Sequence, residues 1–199
     1  VELILIRHAL PLRLQVVDGP ADPPLAELGQ AQAEALAAIV HPDEYDALYV
    51  SPLQRARQTA DPLAARTGLT PSVRDGLAEW DRHSTSYVPL EELRRESPEV
   101  IEAMAQGQWA DLGIDMDAFV SRVNDTVDEI TGAHPSERVA VVCHGGVINA
   151  YLSTVLGLAT PLFFEPGYTS VSRVRVSRTG GRGVLSINET GHLRSVTAV

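Results

Sequence analysis

Three apolar runs constrain this chain most: Glu2–Ile6 ("ELILI"), Ala47–Val50 ("ALYV") and Val139–Cys143 ("VAVVC"). In the first, five of the opening six residues are apolar, the mark of a strand buried on both faces. Between the runs lie segments with helical spacing. Leu28, Ala31, Ala35 and Ile39 share one face. Met116, Phe119, Val120, Val123, Val127 and Ile130 form a longer stripe behind Asp115, a residue suited to an N-cap. Ser51-Pro52 reads as an N-cap followed by proline at the first helical position, opening a helix through "LQRARQTADPLAART". Strands alternating with helices predict a layered α/β domain with a largely parallel sheet. A weaker strand is expected near Ser72–Arg74. "SVSRVRVS" alternates like a half-exposed strand toward an edge, and "GVLSIN" follows a glycine-rich turn as its hairpin partner.

Composition narrows the function classes. A net charge of −10 with no Lys/Arg stripe argues against nucleic acid or an anionic membrane as partner. The single cysteine, Cys143, has no internal disulfide partner. No leader pattern or run of about 18 apolar residues is present, so a cytoplasmic protein is expected. Neither G-x-S-x-G nor G-x-G-x-x-G occurs, and no H-x-H or H-E-x-x-H spacing calls for a metal.

The strand ends carry the chemistry. The first apolar run terminates in Arg7-His8, the second in Ser51-Pro52, and the third in His144-Gly145-Gly146. In open α/β sheets ligands bind beyond the carboxyl ends of the strands, so parallel strands place His8 and His144 on one rim. Arg55 lies one turn into its helix, and helical side chains lean toward the N-terminus, bringing its guanidinium back over that rim. Two arginines, two histidines, glycine amides and helix N-termini around one point suit a dianionic phosphate.

"LIRHA", "SPLQRARQTA", "LAEWD" and "VVCHGGVINA" resemble, in order and spacing, the four signatures of the histidine phosphatase superfamily, the phosphoglycerate mutase-like enzymes. "DPPLAELGQAQA" and "INETGHL" extend the resemblance over most of the chain. It implies a three-layer α/β/α sandwich with a mostly parallel central sheet; the length fits one domain over residues 1–199, and the weakly patterned stretch at about 80–114 reads as a helical insertion over the sheet. The resemblance further implies a cofactor-independent phosphatase of a small phosphorylated metabolite. His8 would be the nucleophile, Glu79 the proton donor, and Arg7, Arg55, His144 and Gly145 the phosphate site. The physical reading agrees: neutral imidazole is a competent nucleophile near pH 7, and an alkoxide leaves readily only when protonated. The rival readings are a mutase of the same family and a non-catalytic phospho-ligand module. Ala9 stands where the family commonly has glycine. Asp81, Glu91 and Glu92 are alternative acids near Glu79. Arg13 is a cation close to the site, and His83, Ser84 and Tyr87 read as a polar surface loop. Arg57 and the remaining histidines, His41, His134 and His192, are expected at the surface, and Cys143 as a buried structural thiol.

Overall fold

A computed structural model describes residues 1–196. In chain order its elements are β1 (Glu2–Arg7), β2 (Leu14–Gln15), α1 (Glu27–Ile39), β3 (Ala47–Val50), α2 (Gln54–Thr67), β4 (Ser72–Val73) and β5 (Ser86–Tyr87). There follow α3 (Leu90–Glu96), α4 (Pro98–Ala105), α5 (Met116–Ala133), β6 (Arg138–Cys143), α6 (Gly145–Leu156), β7 (Val171–Val176) and β8 (Arg182–Glu189).

Six strands form one sheet in the order β4-β3-β6-β1-β7-β8. The first four in that order run parallel, and β7 and β8 extend the sheet antiparallel. The two-residue period of β1 explains the layers. Leu3 and Leu5 face a core with Phe119, Val123 and Val127 of α5 and Val147, Ile148 and Tyr151 of α6. Ile4 and Ile6 face the opposite core, with Leu36 of α1 and Ala56, Ala60 and Leu63 of α2. Both sheet faces are therefore covered, which is why the central strands read as continuous apolar runs. The expected N-cap of α5 is present: the Asp115 carboxylate accepts the Ala118 N–H at 2.9 Å.

Two local expectations are corrected. Helix α1 forms, but its buried face holds Gly29, Gln32, Ala33, Leu36 and Ala37. Leu28 and Ile39 are 46% and 65% exposed, and Ala31 is also exposed. Small residues win that face because α1 must approach its neighbours closely: a methyl group on Gly29 would sit 2.0 Å from the Leu10 carbonyl oxygen. The second correction concerns Ser51, which does not cap α2. The helix begins at Gln54, whose N–H donates to the Asp22 carboxylate at 2.9 Å, a cap supplied from another segment. Strand β7 lies one place in from the edge, which β8 occupies.

Register places the functional residues. Arg7 is level with Cys143, and Val50 with Val142, so His8, Ser51 and His144 leave the sheet together at its carboxyl rim. Between residues 80 and 114 the chain forms β5, which pairs with β2, and then α3 and α4.

Replacing a helical glycine by alanine normally stabilises by up to about 1 kcal/mol. At Gly29 the clash with the Leu10 backbone reverses the sign, and Gly29→Ala should cost about 1–3 kcal/mol. A lowered urea midpoint at unchanged slope is the expected result; a raised midpoint would show that α1 has room to spare.

Candidate active site

His8 is buried at the end of β1. Its Nδ1 lies 2.8 Å from the carbonyl oxygen of Ala9. A carbonyl only accepts, so Nδ1 carries the proton and Nε2 keeps its lone pair. Burial holds the imidazole pKa well below its ordinary value, and the charges of Arg55 and Arg7 push the same way. The ring is thus neutral at physiological pH. Ala9, in place of glycine, is wholly buried, and its N–H donates to Thr59 Oγ1 at 2.9 Å.

Arg7 and Arg55 flank this ring, and both are nearly inaccessible to solvent. Arg7 donates to the Pro166 carbonyl and lies 4.0 Å over the Tyr168 ring. Arg55 donates to Asp81 at 3.3 Å and stacks 4.6 Å from the centre of the Tyr87 ring. The Nε–H of each is buried without a protein acceptor. His144, 5.0 Å from the His8 ring, bonds through Nε2 to the Ser51 hydroxyl at 2.6 Å, and its Nδ1 has no protein partner. Desolvation and the neighbouring cations lower its pKa as well. Unsatisfied buried donors are costly, and one acceptor-rich dianion would satisfy those grouped here. Gly145 opens α6 at the same rim, and a methyl group there would lie 3.7 Å from Arg7 Nε.

Glu79 behaves oppositely. Its Oε2 accepts the Gly146 N–H at 2.8 Å and its Oε1 the Trp80 N–H at 3.1 Å. Those bonds favour the carboxylate, but burial outweighs them, and with Asp81 nearby the pKa is pushed up to about 7. The close seat requires glycine at 146, where a Cβ would fall 2.3 Å from Glu79 Oε1. Arg7, His8, Arg55, Glu79, Asp81 and Gly145 line one cavity of about 380 Å³.

The structure brings the expected site residues together and relocates others. Arg13 is committed to Glu92 and Glu96 of α3, at 3.3 and 2.6 Å. His83 and Ser84 are exposed as expected, whereas Tyr87 is buried under Arg55 and lines the cavity. Cys143 is fully buried and Arg57 exposed, both as expected. His134 and His192 are not free surface side chains: His134 bridges Tyr49 and Glu137, and His192 bonds Thr169. Sequence reasoning missed Tyr168, Asp22 and the Ser51–His144 bond. Tyr168 was legible in principle, because an antiparallel β7 delivers the residues before it, "EPGYTS", to the rim where β1 ends.

Residues 3–190 match the histidine phosphatase superfamily (branch 1). Phosphoserine phosphatase 1 of Hydrogenobacter thermophilus is 29% identical over 97% of this chain and 94% of its own length. A metal-independent phosphoserine phosphatase of Arabidopsis thaliana is 33% identical over 75% of this chain and 66% of its own. The mycobacterial glucosyl-3-phosphoglycerate phosphatase superposes with a TM-score of 0.78 at 25% identity, covering 94% of this chain and 98% of that one.

An acid at Glu79 could act only while protonated, so in that role its state would set the upper pH limit. For an alkyl phosphate, kcat/KM should fall about tenfold per pH unit above about 7. A nitrophenyl ester, whose leaving anion needs no proton, should not share that fall. Phosphomonoesters are dianions beyond their second pKa of about 6, and His8 is already neutral, so neither group supplies the slope. Glu79→Gln should flatten the alkyl profile at a lower level; parallel profiles for both esters would exclude Glu79 as the acid.

Proposed function

The chain belongs to the histidine phosphatase superfamily and is a phosphatase; from that premise we propose that His8 is its nucleophile and Glu79 its general acid and base. The observation that carries this reading is the placement of two buried groups of opposite character on one cavity. A buried imidazole with a free Nε2 faces the same cavity as a carboxyl group whose pKa is about 7.

The substrate phosphate is held by Arg7, Arg55, His144 and the N–H of Gly145 at the start of α6. His8 Nε2 attacks phosphorus in line, the P–O ester bond breaks, and the Glu79 proton passes to the leaving oxygen. The product alcohol departs, leaving phosphohistidine. Water then attacks phosphorus, Glu79 takes its proton, the P–N bond breaks, and inorganic phosphate is released. The arginines stabilise charge on the equatorial oxygens in both steps, a contribution of about 10²–10³-fold per donor of this kind. Proton transfer by Glu79 adds about 10²–10⁴-fold.

The cavity suits a small phosphorylated metabolite, as the named substrates of the relatives are. Among the described residues no helix is long and apolar enough to cross a membrane, and we place the enzyme in the cytoplasm, where such metabolites are turned over.

Phosphate release from an alkyl phosphate, run beside isomerisation of 3-phosphoglycerate, tests the reading. The parent should release phosphate faster than it isomerises, and His8→Ala should lose at least about 10³-fold in release while staying folded. Isomerisation exceeding release would make the enzyme a mutase. A fully active His8→Ala enzyme would remove His8 from the chemistry.

A further inference from the structure

The cavity extends well beyond the phosphate-binding residues, and its outer wall is apolar. Helices α3 and α4 contribute Leu90, Leu93, Ile101 and Met104, and Trp80 and Trp109 complete that side. Leu162 and Phe164 line it as well. This wall is a continuation of the protein's interior: Trp109 is a buried member of the α5/α6 core, and Trp80, Met104, Leu162 and Phe164 pack against it.

The charged and amide side chains along the wall already have partners. Arg94 and Glu165 form an ion pair at 2.5 Å. Asp81 is bonded to Arg55. The Asn149 amide is consumed by backbone: it donates to Gly145 and Phe164 carbonyls and accepts from the Phe163 and Phe164 N–H groups. The same bonds fasten the segment carrying Phe164 to α6, so the apolar surface is held in place. A leaving group bearing an ammonium or carboxylate would be desolvated here against groups that have no charge to spare.

We propose that the physiological substrate is a phosphomonoester of an apolar alcohol, its hydrocarbon part seated against α3, α4 and the two tryptophans. This rests on the phosphatase reading and adds its substrate class. Each methylene buried against the wall contributes about fourfold in kcat/KM, through binding realised in both ground and transition states.

Ethyl, butyl and hexyl phosphate release alkoxides of similar basicity, so their comparison isolates the wall from the chemistry. The expected result is a steady rise, with hexyl phosphate favoured over ethyl by up to about 250-fold when all four added methylenes are buried. O-phosphoserine and 3-phosphoglycerate should be hydrolysed more slowly than hexyl phosphate. Leu93→Gln, on a partly exposed helix where folding is not at risk, should shrink the hexyl-to-ethyl ratio several-fold. A flat or falling chain-length series, or phosphoserine or phosphoglycerate exceeding hexyl phosphate, would overturn the apolar assignment and leave a phosphatase in place. No turnover of any of these esters, p-nitrophenyl phosphate included, would instead overturn the phosphatase reading, and this inference with it.

Discussion

Two guanidinium groups withdrawn from water at the carboxyl rim of the sheet govern this site. Burying a charge costs several kcal/mol unless it is paired and fully hydrogen-bonded, and neither Arg7 nor Arg55 is. The fold meets part of that cost with a carbonyl for Arg7, a carboxylate for Arg55 and an aromatic face for each. What remains unsatisfied is an anion site. The same two charges also act on the histidines, lowering both pKa values and keeping the His8 lone pair available. On the proposed reading, one arrangement both recruits phosphate and prepares the atom that attacks it.

Glu79 stands among the same cations and shifts the other way. Desolvation dominates its environment, aided by Asp81, and outweighs both the N–H bonds from Gly146 and Trp80 and the charge of Arg55. A neutral imidazole and a protonated carboxyl group therefore coexist just below neutrality, as the proposed first half-reaction requires. The loop before β7 closes the arrangement. Thr169, fully buried, takes a φ of 55°, a left-handed conformation rare for a β-branched residue. It is held by its hydroxyl, which donates to the Tyr168 carbonyl and accepts from His192 Nε2. That conformation fixes Tyr168 against Arg7, and the Tyr168 hydroxyl reaches Glu91 of α3 at 3.2 Å. Phosphate site and outer wall are thereby connected through one side chain.

The central strands and the rim chemistry were legible because each depends on local sequence. A continuous apolar run marks a strand buried on both faces whatever its register, and polar residues at the ends of parallel strands converge by topology alone. What escaped the reading depends on approach between distant segments. The buried face of α1 is decided by the Leu10 carbonyl pressing on Gly29, an influence that helical periodicity does not contain. Ser51 looks like a cap, yet His144, brought alongside by β6, takes its hydroxyl while Asp22 caps the helix. Tyr87 reads as a surface residue and Tyr168 is passed over for the same reason: the importance of each lies in the guanidinium it covers.

The proposed chemistry turns on a single atom, Nε2 of His8, because Nδ1 is occupied by the Ala9 carbonyl. Phosphorus–nitrogen coupling in the NMR spectrum of ¹⁵N-histidine-labelled phosphoenzyme, trapped under alkaline denaturing conditions that preserve phosphohistidine, reads that atom directly. Phosphorus coupled to Nε2, with the modified peptide mapping to His8, is the predicted result. Coupling to Nδ1, or a phosphoryl group on His144, would contradict it.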